Sequence, residues 1–270
     1  MTQKILMCRP DFFGVDYVIN PWMQGNVGQS NHALAAEQWN ALHALLEQQA
    51  EIVLVEPQKG WPDMVFTANA GLVFGNRVIA SIFHAPQRQG ETPHFVRWFG
   101  NNGFELADWP ESVPFEGAGD GLFDRKHPWL WLGHGFRSSP KAAALLEEKT
   151  GRKVIPLHLV NPSFYHLDTC LCPLSGGKLL YHPPAFDAES NARIESLVPE
   201  ADRIVVEAGD AAGFVCNAVE LGGKLFVNHA SPALQHTLAR NGFEVVITPL
   251  GEFMKAGGAA KCLTLKLIEP

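Results

Sequence analysis

Cysteine is scarce in this 270-residue chain and poorly placed for cross-linking: Cys8, Cys170, Cys172, Cys216 and Cys262 are odd in number and scattered. A disulfide framework is excluded on those grounds, and reduced thiols are expected. Basic residues are also short, 21 Lys and Arg against 28 Asp and Glu, for a net charge of −7. Binding to nucleic acid needs clustered Lys and Arg, so that partner is excluded and a small or cationic ligand fits better. No apolar run is long enough to span a bilayer, and no basic segment followed by an apolar one opens the chain. Together these absences predict a cytoplasmic protein with no membrane partner. There is no zinc-type cysteine pairing, no HExxH and no Walker loop. Cys170 and Cys172 share a strand face but lack further ligands, so neither a metal nor a cofactor is expected.

What is present is a large apolar fraction, 46%, enough to bury a sizeable core. No boundary is visible, and one domain over 1–270 is expected. Within it a unit of about 50 residues recurs five times: a helical segment, a short apolar strand, a polar loop, then two apolar strands joined by a turn. The helical segments are 30–49, 92–102, 140–150, 187–197 and 232–241, with Ser30 read as the cap of the first. Gly103, Gly151 and Gly242 stop three of them where a left-handed residue belongs. Short β-branched strands follow at 52–55, 104–106, 154–157, 204–206 and 245–247, and hairpins at 72–79, 129–132, 171–180 and 219–227. Units too small to bury their own apolar faces complete one another around an axis, which predicts a closed, pseudo-symmetric α/β ring.

Such a ring brings one loop from every unit to the same end of the axis. Those loops read 63–69, 115–120, 164–168, 207–210 and 251–257. Asp210 and Glu252 read as ordinary turn residues. Glu116, and His166 with Asp168, are flanked by bulky apolar residues, which predicts burial, and buried ionisable groups need partners or a task. Near the C-terminus Gly257-Gly258-Ala259-Ala260-Lys261 allow close backbone approach just before Cys262, which is expected to open a strand as a nucleophile.

Three motifs in order, Phe115-Glu116-Gly117-Ala118-Gly119-Asp120, His166-Leu167-Asp168 and Gly257-Gly258-Ala259-Ala260-Lys261-Cys262, make the full chain resemble the pentein, or guanidino-group-modifying, superfamily. The segments 18–23 and 62–71 are most similar to its arginine dihydrolase branch. The resemblance implies a five-bladed α/β propeller of ββαβ units and hydrolysis of arginine to ornithine, ammonia and carbon dioxide. It implies arginine, or a close guanidino or ureido amino acid, as the ligand, and it leaves homo-oligomerisation open. Cys262 would be the nucleophile and His166 the acid and base, with Glu116 and Asp168 gripping the guanidinium. Arg88 and Arg137 would clamp the substrate carboxylate, with Asn20 and the Ala256 carbonyl at the α-amino end. Asn69 stands where relatives that hydrolyse only once carry an acidic residue. Three enzyme alternatives stay open, namely a single-step arginine deiminase, a dimethylarginine hydrolase and a citrulline ureidase, together with a non-catalytic pentein binding module.

Overall fold

The expected repeat is present as five three-stranded sheets in the computed structural model, which describes residues 3–269. In the first module β1 (Gln3–Cys8) runs parallel to β2 (Ala50–Val55), and α1 (His32–Leu46) makes the crossover that a parallel pair requires. In the second, β3 (Gly71–Phe74) and β4 (Arg77–Ala80) form a hairpin. A short α2 (Pro86–Gln89) and then α3 (Thr92–Asn101) lead to β5 (Glu105–Leu106), parallel to β4. The third module repeats the pattern with β6 (Gly121–Phe123), β7 (Trp129–His134), α4 (Ala142–Thr150) and β8 (Lys153–His158). The fourth uses β9 (Leu171–Leu174), β10 (Lys178–Tyr181), α5 (Ala188–Leu197) and β11 (Arg203–Val205). After α6 (Ala208–Ala212), the fifth comprises β12 (Val219–Leu221), β13 (Lys224–Val227), α7 (Pro232–Arg240) and β14 (Glu244–Ile247). Finally α8 (Gly251–Met254) leads to β15 (Leu265–Lys266), which pairs antiparallel with β1, Leu6 opposite Leu265. The end of the chain thereby completes the first sheet.

Burial follows the modules. The strands β3, β6 and β9 are buried along their whole length, as strands covered on both faces should be. Helix α1 turns Ala35, Trp39, Leu42 and Leu46 inward at helical spacing. Gly103, Gly151 and Gly242 have φ of 83°, 66° and 89°, the left-handed conformation anticipated at those helix ends. Among the described residues no helix is long and apolar enough to cross a membrane.

Three local expectations are corrected. The cap of α1 is Asn31, whose side chain accepts from Leu34 N at 3.1 Å, whereas the Ser30 hydroxyl accepts from Val15 N at 3.0 Å. Asp210 and Glu252 are buried anchors, not ordinary turn residues. Asp210 accepts from the backbone and hydroxyl of Ser231, the cap of α7, and Glu252 accepts from Asn31 N, each tying the start of a helix to a neighbouring turn. Cys262 does not open a strand; it lies in a turn three residues ahead of β15.

Candidate active site

A tight turn precedes the inner strand of every module, and these turns hydrogen-bond to one another in a closed circuit. Asn69 Nδ2 donates to Glu116 O at 3.2 Å, and Asp120 Oδ1 accepts from Leu167 N at 3.0 Å. Asn217 Nδ2 donates to Asp168 O at 3.1 Å, Asn217 Oδ1 accepts from Cys262 N at 3.0 Å, and Ala68 N donates to Cys262 O at 3.1 Å. The circuit passes through all five modules, so groups nearly 200 residues apart are held on one rigid rim.

Cys262 is 3% exposed, with Sγ 3.6 and 3.8 Å from the Asp168 carboxylate oxygens and 3.1 Å from Asn217 Nδ2. Burial, then the neighbouring Asp168 charge, push its thiol well above the usual range, while the hydrogen bond from Asn217 and the Lys261 ammonium oppose them. The ligand-free thiol is therefore protonated at neutral pH. Burial likewise raises Asp168 to about 7, against the pull of Lys261 and the Cys262 contact. The small residues ahead of Cys262 are sterically required. Gly257 has φ of 83°, and a Cβ there would lie 2.8 Å from the Tyr165 hydroxyl; one on Gly258 would lie 2.4 Å from Phe66.

Across the rim, Glu116 is fully buried, and its Oε2 meets His166 Nε2 at 2.7 Å and Arg137 Nη1 at 3.2 Å. Burial alone would raise this carboxyl, but Arg137 and the His166 hydrogen bond outweigh it and hold it well below the usual carboxylate range. An ionised Glu116 can only accept, so the shared proton sits on Nε2 of His166 and leaves Nδ1 for other chemistry. Asp120 supports from behind, accepting from Leu167 N and from the Ser138 hydroxyl, which in turn accepts from Glu116 N.

Arg88 and Arg137 are both buried, but not alike. Arg88 donates twice to Glu91, at 2.9 and 2.8 Å, once to Asn69 Oδ1 at 2.9 Å and once to Asp63 O at 3.1 Å. With five N–H groups, it keeps one. Arg137 donates only to Glu116 and to Ile19 O, stacks on the Tyr165 ring at 4.7 Å and keeps three. Asn20 Nδ2 donates to Ala256 O at 3.0 Å, so these two expected site residues do meet. Asp63 accepts from the Tyr17 hydroxyl through Oδ2, while its buried Oδ1 has no protein partner. Among the described residues no three His, Cys, Asp or Glu gather as a metal site.

Sequence reasoning missed Asn217, Glu91, Asp63 as a lining group and Tyr165. For Asn217 a signal existed. Asn217-Ala218 directly precedes β12 as Asn69-Ala70 precedes β3, whereas the acidic stretch 207–210, where the polar loop of that module is expected, lies several residues too early in the chain. Glu91 carries no comparable signal, because only the folded position of Arg88 gives it a partner.

A model of the eukaryotic N,N dimethylarginine dimethylhydrolase family matches residues 15–269. Over 267 residues the chain is 54% identical to the bifunctional arginine dihydrolase/ornithine cyclodeaminase ArgZ of Synechocystis, covering 99% of this chain and 38% of that protein. The chain thus spans about two fifths of that relative's length. The crystal structure of the N-terminal domain of ArgZ, in a cysteine-to-serine mutant bound to substrate, superposes with a TM-score of 0.98 at 54% identity, covering 99% of each chain. An asparagine-to-serine variant of the same domain, covalently bound to a reaction intermediate, also gives 0.98 and covers 99% of this chain and 98% of that one. With the match running almost end to end, the chain belongs to the dimethylarginine dimethylhydrolase family.

Proposed function

We propose that this site hydrolyses L-arginine twice through adducts on Cys262, giving ornithine, two ammonia and carbon dioxide. The observation that carries the reading is the rim itself, where the Cys262 thiol lies 3.6 Å from the Asp168 carboxylate in the same circuit that holds the His166–Glu116 pair. Five buried carboxyls, those of Asp63, Glu91, Glu116, Asp120 and Asp168, face only two buried arginines here, an excess that favours a cationic ligand. The naming of ArgZ as an arginine dihydrolase, and its structures with substrate and adduct, support the same conclusion.

Glu116 and Asp168 accept from the guanidinium N–H groups, and the arriving cation replaces the missing counter-charge beside Cys262, favouring its thiolate. The Cys262 thiol gives its proton to His166 as sulfur attacks the planar carbon, and His166 passes that proton to the departing ammonia. His166 then takes a proton from the attacking water and returns it to sulfur, so that citrulline forms with the thiol restored. Asn69 explains why citrulline stays. Its Oδ1 is occupied by Arg88 and one N–H by Glu116 O, leaving one N–H to donate. A guanidinium offers no acceptor to that N–H, whereas the citrulline ureido oxygen does. A second attack expels the second ammonia; water cleaves the resulting thiocarbamate to a carbamic acid, which loses carbon dioxide. At the other end of the substrate, Arg137 takes the carboxylate with Arg88 adding its single N–H. The Ala256 carbonyl positioned by Asn20, together with Asp63 Oδ1, takes the α-ammonium. The five modules act as one catalytic unit, and five buried, unpaired thiols suit a reducing compartment such as the cytoplasm.

The family match favours a second reading, a single hydrolysis of arginine or of dimethylarginine to citrulline. Incubation with each compound, followed by amino-acid and amine analysis, separates the two. Ornithine with two ammonia per arginine supports the dihydrolase, and citrulline as the end product overturns it. Cys262→Ser is expected to lose turnover while still binding arginine in calorimetry; activity within about tenfold of wild type would remove Cys262 as nucleophile.

A further inference from the structure

Four of the five inner-strand turns supply a group already placed in the chemistry: Asn69, Glu116, His166 with Asp168, and Cys262. The fifth turn supplies Asn217, and its amide is saturated in an unusual way. Oδ1 accepts from Ala259 N at 3.1 Å and Cys262 N at 3.0 Å, while Nδ2 donates to Asp168 O at 3.1 Å and to Cys262 Sγ at 3.1 Å. All four hydrogen-bonding positions of the amide are therefore spent on the nucleophile turn and on the residue that faces it. Asn217 is fully buried, so these bonds have no competing water. The turn that presents it is strained. Phe214, whose carbonyl accepts from Asn217 N at 3.0 Å, has φ of 55°, the only positive φ at a non-glycine residue among those described. Trp22, 4.6 Å away centroid to centroid, and Phe164, at 6.2 Å, pack against its ring and hold that conformation.

We infer that Asn217 is a further catalytic residue of this site, donating through Nδ2 to the Cys262 sulfur and so stabilising the thiolate that attacks and the thiolate that leaves. The inference rests on Cys262 being the nucleophile of the proposed reaction. An N–H aimed at sulfur is worth more to a thiolate than to a thiol, because hydrogen bonds to charged groups are the stronger ones. No other side chain among the described residues donates to Sγ. Asp168, whose carboxylate oxygens lie 3.6 and 3.8 Å from Sγ, only accepts when ionised, so it disfavours the thiolate until a cation lies against both. Asn217 acts without substrate, and the substrate cation completes the activation.

Alkylation of ligand-free enzyme by iodoacetamide tests this without reference to turnover, so its outcome is separable from the identity of the substrate. The signal of Cys262 is isolated by peptide mass spectrometry against a Cys262→Ser blank. Asn217→Asp keeps the shape and the acceptor but cannot donate when ionised. Its Cys262 is expected to alkylate about 10- to 100-fold more slowly at neutral pH and to approach the wild-type rate one to two pH units higher. Asn217→Ala, which adds no charge, carries the same expectation and decides the matter where melting shows the aspartate variant to be unfolded. A purely structural role predicts the opposite sign, since a loosened turn exposes a thiol that is now 3% exposed. Alkylation at the wild-type rate or faster in the folded variant overturns the inference.

Discussion

Asn69 and the two arginines are where single side chains separate one outcome from another. A carboxylate in place of the Asn69 amide would add attraction for a guanidinium, on the order of 4 kcal/mol for a charge pair at about 4 Å in an effective dielectric near 20, before desolvation. Neutral citrulline would gain none of that and would lose the N–H proposed to hold its oxygen. Asn69→Asp is therefore expected to release citrulline with one ammonia per arginine, and amino-acid analysis that still finds ornithine with two would remove Asn69 from the second step. The arginines should part company as well. Arg88 neutralises Glu91, whose carboxyl burial has raised to about 7, and lies against Asp63. Arg88→Ala strands buried charge and is expected to cost about 3–5 kcal/mol of stability, read in denaturant unfolding. Arg137→Ala breaks only two protein bonds but also removes the cation that holds buried Glu116 ionised, so it should raise KM for arginine about 10- to 100-fold and lower kcat as well. Equal turnover of agmatine, which lacks the carboxylate, would remove the clamp.

At the scale of elements, the turns before the inner strands hold Asn69, Glu116, His166, Asp168, Asn217 and Cys262, most of the candidate site. One turn shapes the next. A Cβ on Gly119 would come 2.3 Å from Asn69 Nδ2 and 3.5 Å from His166, although the backbone there needs no left-handed conformation. Gly119→Ala is thus expected to fold but to push the Asn69 amide from its bond with Glu116 O. Citrulline should then appear among the products while arginine consumption falls less than about tenfold. An unchanged product ratio would show that the amide moves without consequence. The helices were legible because their apolar spacing and glycine stops are local properties. The turns were legible only where a sequence oddity marked them, as with an acidic residue between apolar ones. Asn217 has no such mark, and a short Asn-Ala echo is too weak a signal to compete with Glu207 and Asp210 nearby.

For the whole molecule, the proposed reaction requires acids buried in the closed rim to ionise as a cation binds, which would couple binding to pH. Asp168 titrates near 7 because burial disfavours its charge. A bound guanidinium favours the carboxylate, so binding below that pH must expel a proton. In the Cys262→Ser protein, affinity for arginine should tighten about tenfold from pH 6 to pH 8 and then level off. Calorimetry in buffers of different ionisation heat should register proton release at pH 6 and much less at pH 8. Asp168→Asn should flatten both trends, and a wild-type slope retained in that variant would assign the linkage to another acid.

The sequence by itself determined the periodicity: five modules, their helices and stops, and the apolar strands that cannot be buried except against one another. These are consequences of spacing within about twenty residues, where side-chain direction follows from helix or strand geometry. It also marked Cys262, Glu116, His166 and Asp168 through unusual local composition. Only the tertiary structure decided who meets whom. Whether an arginine is free to clamp or already committed to Glu91, and whether an asparagine ends a loop or touches a thiol, depends on contacts between turns from different modules. So does whether Asp210 lies exposed or ties down a helix. Hydrogen bonding and burial over such separations are set by ring closure, and no stretch of neighbouring residues contains that information.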